Sequence, residues 1–272
     1  LDTTGIELRI VRMDTKRNTD DGFRHTAAAL ALDEIDAFQP DLVIASDDNA
    51  QEYLVVPYLK GTSLPVVFCG VNWDASGYGY PAANVTGMIE VEFPDELVGH
   101  LSTFAAGERL AFIAAQSVTE QKVAEAYNDR FFDDQMEVHW FTTVDGFEQA
   151  WIDVQQDADI LLFGNNAGVD GWDEVEMEAF VRENTVVPTG AVNDWMARYS
   201  LITLAKRTEE QGEWAAETAL RILSGTSISE IPLAENTEGR MILNLGIADQ
   251  LGIVFPQSML DSAEIFGSTG GN

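Results

Sequence analysis

The stretch DLVIASDDNA, Asp41 to Ala50, decides how the chain is read. DLVIA is a short apolar run of the kind buried on both faces of a parallel sheet. It gives way at once to the polar Ser46-Asp47-Asp48-Asn49, and a helix is expected over Ala50–Lys60. Strand, polar loop, helix is then the unit repeated along the chain. Before it, IELRIVRM (Ile6–Met13) reads as a strand, and Gly22–Phe38 carries Phe23, Ala27, Leu30, Ala31, Ile35 and Phe38 at helical spacing. After it, PVVFC (Pro65–Cys69) is a second buried strand and NVTGMIEV (Asn84–Val91) an extended one.

A second series follows. Helices are expected over Pro94–Ala105, Glu120–Phe132, Asp145–Gln155 and Trp172–Asn184, and strands over Arg109–Ala114, Glu137–Thr142, Asp159–Phe163 and Pro188–Ala191. Trp195–Leu204 is mixed, Thr208–Leu223 is a clear helix, and Met241–Leu243 and Gly246–Leu251 give a last strand and helix. Strands separated by helices of 10–17 residues mean α/β units on parallel sheets, here in two series. The expected fold class is therefore α/β with two Rossmann-like lobes joined by extended strands. Leu1–Gly5 looks like the tail of a helix ended by glycine, so an initial strand and helix are expected to be missing from the chain. The terminal GSTGGN reads as a frayed end.

Composition narrows the function classes. The 272 residues hold 46 acids against 15 bases, a formal charge of −31. The four lysines (Lys16, Lys60, Lys122, Lys206) are scattered and form no basic run. Nucleic acid and anionic membrane surfaces are poor partners for such a chain. Few lysines and many acids suit a salty habitat, where charges are screened. Cys69 is alone, so no internal disulfide forms, and it reads as a small core residue. No run of about 18 apolar residues is present. The N-terminus has no charged region followed by an apolar stretch, so the protein is either cytoplasmic or has lost a leader.

Ligands of open α/β sheets bind beyond the carboxyl ends of the strands. The residues there are Asp14–Asn18, Ser46–Ala50, Gly70–Asp74, Ala115–Thr119, Gly164–Gly168 and Val192–Trp195. Each loop is polar, and most lead into a helix, so each side chain is also a natural N-cap. Asp47, Asp48, Asp74 and Asp194 lie near Trp73 and Trp195 in sequence. A carboxylate with an aromatic face suits an ammonium. Helix N-termini with Ser46, Ser117 and Thr119 suit a carboxylate. Together they fit an amino acid or similar small zwitterion. The two tryptophans also suit packing at a lobe interface.

Signatures of catalysis are weak. His25 and His100 fall in expected helices and His139 in a strand, none after a strand end. No G-x-S-x-G, G-x-x-x-x-G-K-[ST] or H-E-x-x-H occurs. Gly77-Tyr-Gly79 lacks the third glycine of a dinucleotide fingerprint, and Asp47-Asp48 reads as a cap plus solvent rather than a metal site. No catalytic residue, metal or cofactor is expected.

The set of motifs PDLVIASDDNA (Pro40–Ala50), LPVVFCGVNWDAS (Leu64–Ser76), NVTGM (Asn84–Met88), ILLFGNNAG (Ile160–Gly168), EEQGEWAAETALRILSGTSISEIP (Glu209–Pro232) and LNLGIADQLGIVFP (Leu243–Pro256) resembles the ABC-transporter substrate-binding proteins of the periplasmic-binding-protein type I fold, in the group related to tryptophan and aromatic amino-acid binders. The resemblance implies two lobes, residues 1–90 with 194–234 and residues 91–193 with 235–272, and three hinge crossings: after NVTGM, near Pro188–Asn193 and near Pro232–Asn244. It implies a ligand lined by Ser46, Asp47, Asp48, Asn49, Asn72, Trp73, Asp74, Gln116, Ser117, Thr119, Asn165, Asn166, Asn193, Asp194 and Trp195. It also implies an opening strand and cleft-lining loop, a periplasmic or extracellular location (soluble or lipid-anchored), and delivery of the solute to an ABC permease. The alternative is the ligand-binding sensor domain of a signalling receptor such as a histidine kinase. A cleft enzyme is the third class.

Overall fold

The computed structural model describes residues 5–267. The helix tail expected at Leu1–Gly5 and the frayed GSTGGN lie outside the described residues, Gly5 and Gly267 excepted. In chain order the first elements are α1 (Asp21–Phe38), β1 (Val43–Ser46), α2 (Asp48–Ala50), β2 (Val66–Asn72), β3 (Val85–Glu90) and α3 (Pro94–Ser102). Then come β4 (Leu110–Ala115), α4 (Val118–Tyr127), β5 (Glu137–Phe141), α5 (Val144–Asp157), β6 (Ile160–Phe163), α6 (Glu174–Asn184) and β7 (Thr189–Ala191). The chain finishes with β8 (Ile202–Lys206), α7 (Thr208–Leu223), β9 (Ala234–Glu235), β10 (Gly239–Leu243), α8 (Leu245–Leu251), α9 (Gln257–Ser262) and β11 (Glu264–Ile265).

The chain divides into two units, one running through Val91 and resuming at Arg207–Glu238, the other Glu92–Lys206 and the residues from Gly239 onward. The chain passes between them after Val91, after Lys206 and after Glu238. Residues 194–206, expected with the first lobe, group with the second. The reason is β8, which is hydrogen-bonded between β7 and β10 in the second unit's sheet. Residues 235–238, expected with the second lobe, stay in the first, where β9 pairs with β3.

Among the described residues, the first unit has a four-stranded parallel sheet ordered β1-β2-β3-β9. Val66, Val67, Phe68 and Cys69 on β2 are all buried, so both faces of that strand are covered. Val67 and Cys69 meet Ala215 of α7. On the neighbouring strand Gly87 stands opposite Phe68, and a Cβ there would overlap the Phe68 ring. The helix expected over Ala50–Lys60 is α2 followed by a π-helix, Gln51–Leu59, that contains Pro57. Proline has no N–H for the helical ladder and crowds the preceding turn, and the chain here closes on Lys60 N–H to Val55 O instead.

The strand expected at Ile6–Met13 is not formed. The segment pairs with no strand, and Leu8, Ile10 and Val11 are exposed. Side chains of this segment and of the loop after it reach the rest of the unit. Arg9 lies 5.3 Å over the Phe38 ring and 3.1 Å from Glu34 near the end of α1, and Lys16 reaches Asp47 at 2.5 Å beyond the end of β1. β1 is accordingly an edge strand, with Ile44 partly in solvent.

The second unit's sheet runs β11-β10-β8-β7-β6-β4-β5 among the described residues, parallel except where β10 meets β8. Its core is aromatic. Phe147 lies 5.3 Å from Phe163 and 4.8 Å from Trp172, and Trp151 and Phe163 are fully buried. Gly190 gives β7 the close approach it needs, since a Cβ there would press on Leu101, Leu97 and Leu162.

Candidate functional site

Each unit carries a cluster of polar loops at the carboxyl end of its sheet. In the first unit the loops after β1 and β2 are laced together. Asp47 N–H donates to Cys69 O at 2.9 Å. The Asp48 carboxylate accepts from both N–H groups of Asn72, side chain at 2.7 Å and backbone at 3.3 Å, and from the Tyr78 hydroxyl at 2.8 Å. Burial, and then Asp48 beside it, push the Tyr78 hydroxyl well above its usual range, so it stays a donor. Asp74 accepts from the Ser76 N–H at 2.8 Å and hydroxyl at 2.6 Å. Ser46 is exposed, whereas Asn49 and Trp73 are half-buried.

Two of these loop residues sit in left-handed backbone: Asp47 at φ 80 and Trp73 at φ 60. A non-glycine residue pays strain there, and such positions cluster at ligand-holding sites. Asp47 precedes α2 yet makes no side-chain cap bond. Its carboxylate is turned to Lys16 instead, whose ammonium it holds above the usual range. Lys16 was not among the expected lining residues.

In the second unit the neighbouring strands β4, β6 and β7 each end in an expected loop. Gln116 follows β4, Asn165 and Asn166 follow β6, and Asn193, Asp194 and Trp195 follow β7. Ala115 N–H donates to Asn165 O at 2.7 Å, fastening the first two loops. Ser117 does cap α4, accepting from Glu120 N–H at 3.1 Å, and Thr119 is exposed. Asn193 makes no cap bond. Asp194 lies 2.7 Å from Arg240, and Trp195 is 59% exposed.

Each aspartate expected to meet an ammonium thus already has a protein partner: Lys16, Asn72 with Tyr78, Ser76, or Arg240. The residue that sequence reading missed is Glu120. It is 7% exposed, and burial first and Glu92 second lift its carboxyl to about 7. Ser117-x-x-Glu120 is the signature of a capping box, in which the glutamate folds back on the cap. That signal points the carboxylate to the wrong place, because the reciprocal bond is not made.

Cys69 is buried. Burial pushes its thiol up, and Glu90 and Asp47 add to the effect, which is the reverse of an activated nucleophile. Among the described residues no three histidine, cysteine or acidic side chains are grouped to hold a metal ion, and no helix is long and apolar enough to cross a membrane. Two grooves in the second unit, of about 210 and 730 Å³, include none of the expected residues.

The family model described as ABC transporter substrate binding protein matches residues 144–266. No curated protein matches the sequence. Among solved structures, the ligand-free, open form of a substrate-binding protein with adhesive properties from Clostridium difficile aligns at 18% identity over 94% of this chain and 91% of that one, with a TM-score of 0.66. An ABC domain in complex with L-Trp from Streptococcus pneumonia aligns at 18% identity over 89% and 84%, TM-score 0.56. A conserved domain protein from Vibrio cholerae aligns at 16% identity over 90% and 83%, also at 0.56. The chain therefore has the type I periplasmic-binding-protein fold and carries, over residues 144–266, the sequence signature of ABC transporter substrate-binding proteins.

Proposed function

We propose that the protein is an extracytoplasmic solute-binding component that captures a small amine-bearing metabolite, such as an amino acid, and delivers it to an ABC permease. The observation that carries this reading is the family match over residues 144–266 on a fold whose strand ends bear the expected polar loops. The polar loops at the strand ends supply the ligand's contacts, and binding favours whichever conformation gives it the most of them. No bond chemistry is involved. The L-Trp complex of a solved relative supports an amino acid as the ligand class.

The test is a thermal-shift screen of amino acids, their decarboxylated amines and other small metabolites. A ligand at a hundredfold excess over its Kd stabilises by about 2.7 kcal/mol, which moves the melting temperature by several degrees. A screen in which no amine-bearing compound raises it removes the proposal.

A further inference from the structure

We propose that Glu120 is the second unit's contact for the ligand's cationic nitrogen, a role that rests on the solute-binding reading above. Three observations converge on it. The first is placement: Glu120 lies in the first turn of α4, directly after the Gln116–Thr119 loop. Its Oε2, the Phe112 ring edge and the Ala114 methyl share the space a Cβ on Gly164 would fill, which sets the carboxyl at the carboxyl ends of β4 and β6. Glycine at 164 is what leaves room for it.

The second is that the carboxyl is unpartnered. Glu120 is more than nine-tenths buried, yet among the described residues nothing donates a hydrogen bond to it and no base pairs with it. The charged and titratable groups near it are otherwise engaged. Glu92 accepts from the Tyr127 hydroxyl at 2.6 Å and faces Lys206 at 3.7 Å. Beside its Oε2 at Gly164 stand the Phe112 ring edge and the Ala114 methyl, both apolar. The carboxyl oxygens keep some contact with solvent, so water rather than a protein group serves them without ligand. At the ligand-binding end of a sheet, a donor brought by the ligand can take that water's place.

The third is chemical. The four expected aspartates already have protein partners, whereas Glu120 has none, so Glu120 offers an ammonium a carboxylate with no competing protein donor. Glu120 needs only to lose its proton. A cationic nitrogen stabilises the carboxylate form, and Glu92 beside it adds to the negative potential. Binding of a cation therefore displaces a proton, and affinity rises with pH. A neutral ligand that accepts a hydrogen bond from the protonated acid gives the opposite slope.

The experiment takes the amine-bearing compound with the largest thermal shift and measures its Kd by calorimetry at pH 5.5, 7.0 and 8.5, on the parent and on Glu120→Gln. With the carboxyl titrating near 7, affinity for the parent is expected to rise about thirtyfold from the lowest to the highest pH. Glu120→Gln should lose at least tenfold in affinity at pH 8.5 and lose the pH dependence, and the N-acetylated ligand should not bind. If Glu120→Gln does not fold, carboxyl NMR of the parent serves: the Glu120 signal titrates near 7 alone and below 5 with ligand. A flat pH profile with an unchanged Glu120→Gln Kd, a fall in affinity with pH, or an unshifted NMR titration overturns the assignment while leaving solute binding intact. Failure of the whole screen removes both.

Discussion

The side-chain amide of Asn236 holds both backbone groups of Val91, accepting from its N–H at 2.7 Å and donating to its carbonyl at 3.1 Å. Val91 is the last residue before the chain first leaves its unit, and Asn236 stands two residues before it leaves for the second time. Gln211 ties the pair to the rest of the unit, donating to Asn236 Oδ1 at 3.3 Å and to Ile89 O at 3.2 Å while accepting from Gly70 N–H at 2.9 Å. Glu210 fixes the next two residues, accepting from the N–H of Thr237 at 2.9 Å and of Glu238 at 2.8 Å. The two exits are thus clamped to each other within one unit. Asn236→Ala strands two buried backbone groups, and at 1–3 kcal/mol each it should cost about 3 kcal/mol, read from urea denaturation. A loss below 0.5 kcal/mol would show that solvent satisfies those groups.

Gly87 stands in register with Phe68, whose ring also lies 5.2 Å from that of Tyr80. Gly87→Ala forces the ring out of its seat and should cost about 2 kcal/mol or more. Chemical denaturation measures it, and the near-ultraviolet dichroism of Tyr80 should change in the folded state.

The loop residues separate into two kinds by their bonds. Asp48→Ala releases Asn72 and Tyr78 together, so it should lower stability by about 1–2 kcal/mol and also weaken ligand binding. Trp73→Ala and Asp194→Ala should abolish the ligand-dependent thermal shift with little effect on the unliganded protein. Asp194 and Arg240 form a largely exposed pair, whose removal costs at most about 1 kcal/mol. Parallel melting curves with and without ligand check all three, and wild-type shifts in both of the last two variants would rule those residues out of the site.

The raised pKa of Glu120 has a consequence for stability without ligand. Its carboxyl holds its proton to about 7 in the folded protein against 4.5 in the unfolded chain. Between those values the folded state binds more protons, so stability falls as pH rises from 4.5 to 7 and levels off above. Glu120→Gln removes this loss. It should match the parent at pH 4 and exceed it at pH 8 by up to roughly 3 kcal/mol, the worth of a shift of that size. Equal melting temperatures at both pH values would contradict the burial of the carboxyl.

Periodicity was enough to read the α/β class and most elements. Thr208–Leu223 coincides with α7, because its apolar residues repeat at helical spacing and Gly225 follows the end as a helix stop. The same reading failed at Ile6–Met13. A β-rich string names a strand only if a neighbour supplies hydrogen bonds, and the sequence does not show the neighbour. The resemblance put the second crossing near Pro188–Asn193, whereas β8 pairs with β7 and carries the chain on in the second unit through Lys206. Loop positions were legible from strand ends. The bonds inside the loops were not, since Asp47 to Lys16, Asp48 to Asn72 and Asp194 to Arg240 join residues 24 or more apart. Glu120 was hidden for a different reason: its sequence context describes a helix start, and only burial reveals a carboxyl with nothing to bind.

The unladdered segment Ile6–Met13 is an exposed length of backbone outside the sheet, and β1 is an edge strand among the described residues. The amides of that segment should exchange with deuterium in seconds while β2 stays protected, and a protease admitted in trace amounts should nick there first. A strand rim with free donors and bare leucine and isoleucine side chains is also a seed for growth from one molecule to the next. The concentrated protein is therefore expected to lengthen into oligomers through this rim, and its large negative charge to slow that process most at low salt.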